Sequence, residues 1–172
     1  PIALYYPQLA SLAREQSVML GIEGTVMSGT PALSLAQANL QPASIQHIEG
    51  ILNGTTNYML TRMETGMSYD EALAEAQALG YAEADPSGDV DGWDAVAKVV
   101  ILANLLMSAD ISISDVERTG IANLTLDDIR TAQSAGERYK LSASIQRAAD
   151  DKVTARVQPQ RLPLDHPLAH VA

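Results

Sequence analysis

Apolar positions change their spacing several times along the chain, and each change marks an element. In YYPQLASLAREQ (5–16), Leu9, Leu12 and Ala13 recur at helical intervals. SVMLGIEGTVM (17–27) follows as a β-rich apolar run closed by Gly29 and Pro31, which predicts a strand. ASIQHIEGIL (43–52) predicts a second strand, and NGTTNYMLTRME turns from it into a helical period that Gly66 should end. The corner from Gly54 to Thr56 is then a strand-to-helix junction. Ser68 and Glu71 form a capping box ahead of SYDEALAEAQALG, with Gly80 where a C-terminal cap belongs. WDAVAKVVILANLLM (93–107) carries Val and Leu on several faces, the mark of a buried core helix. A short helix is expected near Ser114 to Thr119, and another is capped by Thr125 with Asp128 one turn on. YKLSASIQRA and KVTARVQPQ then pair as a hairpin around Asp150 and Asp151. The pattern gives an α+β fold with helices packed on one face of a mixed or antiparallel sheet.

Composition narrows the possible functions. With 172 residues the chain is close to the roughly 150 expected of one domain and can bury a substantial core. A net charge of -10, with Lys and Arg scattered, leaves no basic footprint for nucleic acid, so small molecules or protein are the expected partners. The absence of cysteine removes disulfides, thiolate metal ligands and cysteine nucleophiles, and it suits a reducing cytoplasm. No apolar run approaches the roughly 20 residues that span a bilayer, so no membrane partner is expected. The chain opens at Pro1 and stops in LPLDHPLAHVA, a Pro-interrupted stretch expected to complete no element. Residues 1–172 therefore read as one domain of a longer protein, truncated at both ends.

The densest chemistry lies in YAEADPSGDVDGWDAVAK (81–98), where Glu83, Asp85, Asp89, Asp91 and Asp94 surround the single cation Lys98. Asp94 and Lys98 are one helical turn apart on one face, a spacing that by default means a surface ion pair worth a few tenths of a kcal/mol. Here the context differs. Pro86, Gly88 and Gly92 prevent a continuous helix before Trp93, so the loop should bring its acids around the helix start. Converging carboxylates repel one another unless a cation is bound, whether the lysine, a metal or a ligand ammonium group. A calcium loop aligned on Asp89, Asp91 and Gly92 has Ser87 where an acid is needed and Lys98 where the bidentate Glu belongs.

The same residues resemble a known family. AQALGYAEADPSGDVDGWDAVAK matches every fixed position of the homoserine dehydrogenase signature: Gly-Tyr-x-Glu-x-Asp-Pro, two variable residues, Asp, an aliphatic residue, x-Gly-x-Asp, and Lys after three more. Upstream, GILNGTTNYML (50–60) resembles that family's substrate motif, and IEGTVMSGTP (22–31) resembles its Glu-x-x-Val-x-x-Gly-x-Pro segment. The resemblance implies interconversion of L-homoserine and L-aspartate 4-semialdehyde with NAD(P), in the cytoplasmic aspartate pathway to threonine, methionine and isoleucine. By motif position it makes Lys98 the proton donor with Asp94 beside it, and Glu83 and Asp89 the groups that hold the amino-acid substrate. Tyr81, Gly54 and Thr55 match positions lining the same pocket. Glu23 and the carbonyls of Val26, Ser28 and Thr30 match a monovalent cation site, with sodium as the expected ion, although Met27-Ser28 departs from the commoner glycine-rich version.

Only part of such an enzyme is covered. No Gly-x-Gly-x-x-Gly occurs, so a nucleotide-binding Rossmann domain is expected to precede these residues. A homodimer built through this domain's sheet is implied by the resemblance, and the apolar VMLGI suggests a strand needing cover on both faces. Two other readings stand beside the enzyme: an acidic-loop cation-binding module and a purely structural dimerisation domain.

Overall fold

The computed structural model describes residues 1–40 and 43–171. Helix α1 (Ile2–Glu15) and helix α2 (Ala32–Asn39) precede strand β1 (His47–Gly50), helix α3 (Gly54–Glu64) and helix α4 (Tyr69–Ala78). A single helical turn, α5 (Ser87–Val90), leads into α6 (Trp93–Leu106). Strand β2 (Val116–Arg118), helix α7 (Leu126–Ser134) and the long strands β3 (Glu137–Arg147) and β4 (Val153–Pro163) follow.

The sheet order is β1-β3-β4-β2, with β1 antiparallel to β3, β3 antiparallel to β4, and β2 parallel to β4. The sheet is therefore mixed, as the α+β reading expected. Its hairpin closes through Ala148 N–H donating to the Lys152 carbonyl at 2.8 Å, with Asp151 in the left-handed region at φ +69°. Alternation along the strands sends Leu141, Ala143 and Ile145 of β3 and Ala155 and Val157 of β4 into the core. Facing them is α6, whose Val96, Val99 and Val100 are fully enclosed, each contributing about 1.5–3 kcal/mol of burial. Met59, Leu60 and Met63 of α3 and Ala72 and Ala76 of α4 complete that layer. Of the intervening strand positions, Ser144, Gln146, Thr154 and Arg156 are half-buried or exposed, whereas Lys140 and Ser142 are buried.

Three expectations fail. Residues 17–27 form no strand: Val18 and Met19 are exposed, and Glu23–Thr25 is a 3-10 turn. Gly21 and Gly24 weaken any strand there, having no side chain to pack and more backbone entropy to lose. The local bonds favour a turn instead, with Thr25 Oγ1 donating to the Ile22 carbonyl at 2.6 Å. With no strand there, VMLGI offers no sheet face for a dimer to cover. The short helix near Ser114 to Thr119 is likewise replaced, by a 3-10 turn at Ile113–Asp115 followed by β2. Ser112 and Asp115 do form a capping box, but β-branched Val116 leaves the turn to lie buried beside Ala155 in the sheet. Finally, the Pro-interrupted end does complete an element, the 3-10 turn Pro167–His170, which His166 caps through its ring nitrogen.

That last turn is fastened by a buried lysine. Lys140 Nζ donates to Asn57 Oδ1 and to the Val171 carbonyl, both at 2.6 Å, and burial pushes its pKa down. Among the described residues, no helix is long and apolar enough to cross a membrane.

Candidate active site

Gly92 adopts φ +86°, a left-handed conformation that favours glycine, and it turns the acidic loop sharply into α6. Asp94 consequently stands in the helix's first turn, where the macrodipole favours a carboxylate. Lys98 lies one turn on, with its Nζ 2.7 Å from Asp94 Oδ2. The same Nζ donates to the Leu52 carbonyl at 2.8 Å, and the lysine side chain is only 19% exposed. The pair is thus anchored to a second element, unlike a freely solvated surface bridge. An ammonium group has three N–H donors, and these two contacts leave one for another partner.

The corner before α3 supplies the rest of the arrangement. Asn53 caps the helix, its Oδ1 accepting from Thr56 N–H and Thr56 Oγ1, each at 2.8 Å. Its Nδ2 donates to Asp89 Oδ1 at 2.7 Å and to Asp94 Oδ2 at 2.9 Å. Asn53 is buried, and the sequence reading missed it, although an Asn directly before a new helical period is a recognisable cap signal. One amide therefore joins two of the five acids.

The loop's other acids have separate tasks. Asp85 Oδ1 accepts from Ser87 N–H at 3.1 Å at the head of α5, and hydrogen bonding to Ser87 holds its carboxyl below the usual carboxylate range. The Asp91 carbonyl accepts from the Arg118 guanidinium, which also stacks 3.7 Å from the Trp93 ring centroid. Across the notch, Thr55 Oγ1 donates to the Tyr81 carbonyl at 2.8 Å, and the Tyr81 and Tyr58 rings meet with centroids 4.9 Å apart. Gly54 opens α3 as an exposed first residue. Glu83 is exposed; its carbonyl accepts from Gln77 Nε2 at 3.0 Å, and its carboxylate has no partner among the described residues.

The structure thus brings Asp89, Asp94 and Lys98 together through Asn53 and Leu52, and joins Thr55 to Tyr81. Among the described residues, no three Asp, Glu or His side chains come together in a way that could hold a metal ion. Glu23 does something that the sequence did not suggest. Its carboxylate caps α2, accepting from Leu33 N–H at 2.8 Å, from Ser34 N–H at 2.7 Å and from Ser34 Oγ. Those bonds, with the Ser34 hydroxyl foremost, hold its pKa down.

Comparison with known proteins shows the family of the chain. The family model described as homoserine dehydrogenase matches residues 31–172. Over 172 residues the chain is 50% identical to an NAD(+)-dependent homoserine dehydrogenase of Pseudomonas canavaninivorans, covering all of this chain and 49% of that protein. It is 40% identical to a homoserine dehydrogenase of Corynebacterium glutamicum, covering 99% of this chain and 39% of the relative. Among solved structures, the homoserine dehydrogenase from Thiobacillus denitrificans superposes with a TM-score of 0.93 at 34% identity, over 99% of this chain and 39% of that one. A hyperthermophilic archaeal homoserine dehydrogenase mutant in complex with NADPH superposes with a TM-score of 0.82 at 34% identity, over 100% and 49%. The chain spans about half or less of the length of the curated relatives it matches.

Proposed function

Because this chain belongs to the homoserine dehydrogenase family, we propose that residues 1–172 are the catalytic, substrate-binding and dimerisation domain of an enzyme interconverting L-homoserine and L-aspartate 4-semialdehyde. The observation that carries this reading is Lys98, fixed between Asp94 and the Leu52 carbonyl with one N–H to spare. In reduction of the semialdehyde, that N–H donates its proton to the carbonyl oxygen as carbon gains a hydride. In oxidation of homoserine, the hydroxyl proton returns to the lysine nitrogen. Glu83 and the second oxygen of Asp89 hold the substrate ammonium, since a free amino acid needs carboxylates at that end. Tyr81, Gly54 and Thr55 line the pocket, and with its hydroxyl proton directed to Tyr81, Thr55 offers the ligand an acceptor.

NAD(P), when bound, supplies or takes the hydride. The sequence has no Gly-x-Gly-x-x-Gly turn and the described residues form no doubly wound parallel sheet, a poor fit to a dinucleotide, so the proposal assigns its binding to a Rossmann domain outside these residues. A monovalent cation at Glu23, Val26, Ser28 and Thr30 remains part of the proposal. With the Glu23 carboxylate committed to α2, backbone carbonyls would be its main ligands, a hard, weakly charged set suited to sodium rather than to a divalent ion.

The full-length protein, given homoserine and NAD(P)+, should produce the near-ultraviolet absorbance of reduced nicotinamide, in a cytoplasmic role in amino-acid biosynthesis. The 172 residues alone should produce none, because losing the positioned nicotinamide forfeits about 7–11 kcal/mol of barrier reduction. No homoserine-dependent signal from the full-length protein, or turnover by these residues alone, would overturn the reading. A homodimer through the sheet is part of the same proposal, supported by the intervening strand positions Ser144, Gln146, Thr154 and Arg156, which the core layer leaves uncovered. Light scattering at micromolar protein should give twice the chain mass, and a monomer mass would refute it.

A further inference from the structure

The buried amide of Asn53 does more than cap a helix. Its orientation is settled by its neighbours: Thr56 N–H and Thr56 Oγ1 donate to Oδ1, which obliges Nδ2 to face the opposite way. On that side lie two carboxylates, Asp89 Oδ1 at 2.7 Å and Asp94 Oδ2 at 2.9 Å, so each amide proton serves a different acid. Two like charges beside one nitrogen repel, and a donor to both offsets that repulsion and fixes which oxygen each acid presents. Asp94 Oδ2, the oxygen that Asn53 takes, is also the one that binds Lys98 Nζ. The residue before Asn53 contributes the Leu52 carbonyl to the same Nζ. The 52–53 corner therefore holds the lysine from two directions, directly by a carbonyl and indirectly through Asp94.

We infer that Asn53 is a positioning residue for the reaction, setting the Asp94–Lys98 pair and the ammonium-facing oxygen of Asp89 in one register. This rests on the active-site reading above. It acts through other side chains and not on the substrate, so both steps should respond to it. Loss of the Asp94 contact loosens the proton donor and lowers turnover. Loss of the Asp89 contact frees that carboxylate and raises the Michaelis constant for homoserine.

The competing explanation is that Asn53 only caps α3, and the two roles rank substitutions in opposite orders. Asn, Asp and Ser are nearly equivalent caps, whereas Ala is poor. A cap alone makes Asn53→Ser and Asn53→Asp close to wild type, with Asn53→Ala the most damaging. A bridge makes Asn53→Asp the most damaging, because it keeps the cap oxygen but puts a third carboxylate against Asp89 and Asp94. Asn53→Ser keeps the cap and lacks the reach to bridge.

The test is steady-state kinetics of the full-length enzyme carrying Asn53→Ser, Asn53→Asp or Asn53→Ala, with thermal unfolding of each and Lys98→Ala alongside. Asn53→Ser should melt near wild type yet lose about ten- to a hundredfold in kcat/KM, the scale of losing hydrogen bonds to charged groups. Asn53→Asp should lose more; should it not fold, the Ser variant decides alone. Wild-type kinetics for Asn53→Ser, or activity losses that simply follow melting temperature with Ala lowest, would reduce Asn53 to a cap. If Lys98→Ala keeps its turnover, the active-site reading falls and this inference with it. If Lys98→Ala is inactive while Asn53→Ser is normal, only this inference falls.

Discussion

Lys98→Ala is expected to cut turnover by about a hundredfold or more in the full-length enzyme, the usual scale for a positioned acid or base. The Michaelis constant for homoserine should change much less, because the carboxylates proposed to hold the ammonium, Glu83 and Asp89, remain. What disappears is the proton partner of the reacting oxygen and the positive charge beside it. Lys98→Arg should rescue poorly. Guanidinium keeps the charge but hardly releases a proton near neutral pH, and its planar fork does not reproduce a single nitrogen set 2.7 Å from Asp94 and 2.8 Å from the Leu52 carbonyl. Asp94→Asn should fall between wild type and Lys98→Ala. It keeps the shape, and the lysine retains its Leu52 contact, but the charged half of its anchorage is lost. If Lys98→Ala raised only the Michaelis constant and left turnover intact, Lys98 would be a binding residue and the proposed chemistry would be wrong.

Local signals served the sequence reading well where the structure is itself local. The capping boxes at Ser68 and Thr125 each start the helix they announced, and Gly66 and Gly80 stand just beyond helix ends at φ +103° and +76°. The α6 period and the hairpin were equally legible, since burial on several faces and strict alternation need no knowledge of the partner. The failures lie where a short segment is decided by what it meets. Residues 17–27 are apolar enough for a strand, but two glycines and a carboxylate engaged with α2 make a turn of them. Ser112 and Asp115 cap only one turn because Val116 finds a place beside β4. The site divides in the same way. The spacing of Asp94 and Lys98 is a property of one helix and could be read directly, whereas the Leu52 carbonyl reaches Lys98 across 46 positions and Asn53 reaches Asp89 across 36. Backbone acceptors carry no side-chain signature, so contacts of this kind are invisible before the fold is known.

Gly120→Ala is expected to destabilise the domain by about 2 kcal/mol or more, the cost of forcing a methyl group into a packed site. A Cβ at this position would lie 2.2 Å from the Val90 carbonyl oxygen, 2.5 Å from Asp91 Cα and 2.8 Å from the Asp91 carbonyl carbon. All three are backbone atoms, so no side chain can swing aside. Nor can the segment retreat freely, because Thr119 N–H donates to the Val157 carbonyl and Ile121 N–H to the Val90 carbonyl, both at 2.8 Å. Relief requires moving the α5 turn, which carries Asp89 and leads through Gly92 into the Asp94 end of α6. The effect should therefore reach the site: the melting temperature falls by roughly 4 to 8 °C for a domain of this size, and the enzyme that stays folded shows a raised Michaelis constant for homoserine. Gly88→Ala is the matched control for stability, since a Cβ there meets nothing within 4 Å. It lies inside α5, where alanine favours the helical turn, and should melt at or slightly above the wild-type temperature. A Gly120→Ala variant melting together with Gly88→Ala would show that the 90–91 backbone yields easily, and the tight packing claimed for this corner would be wrong.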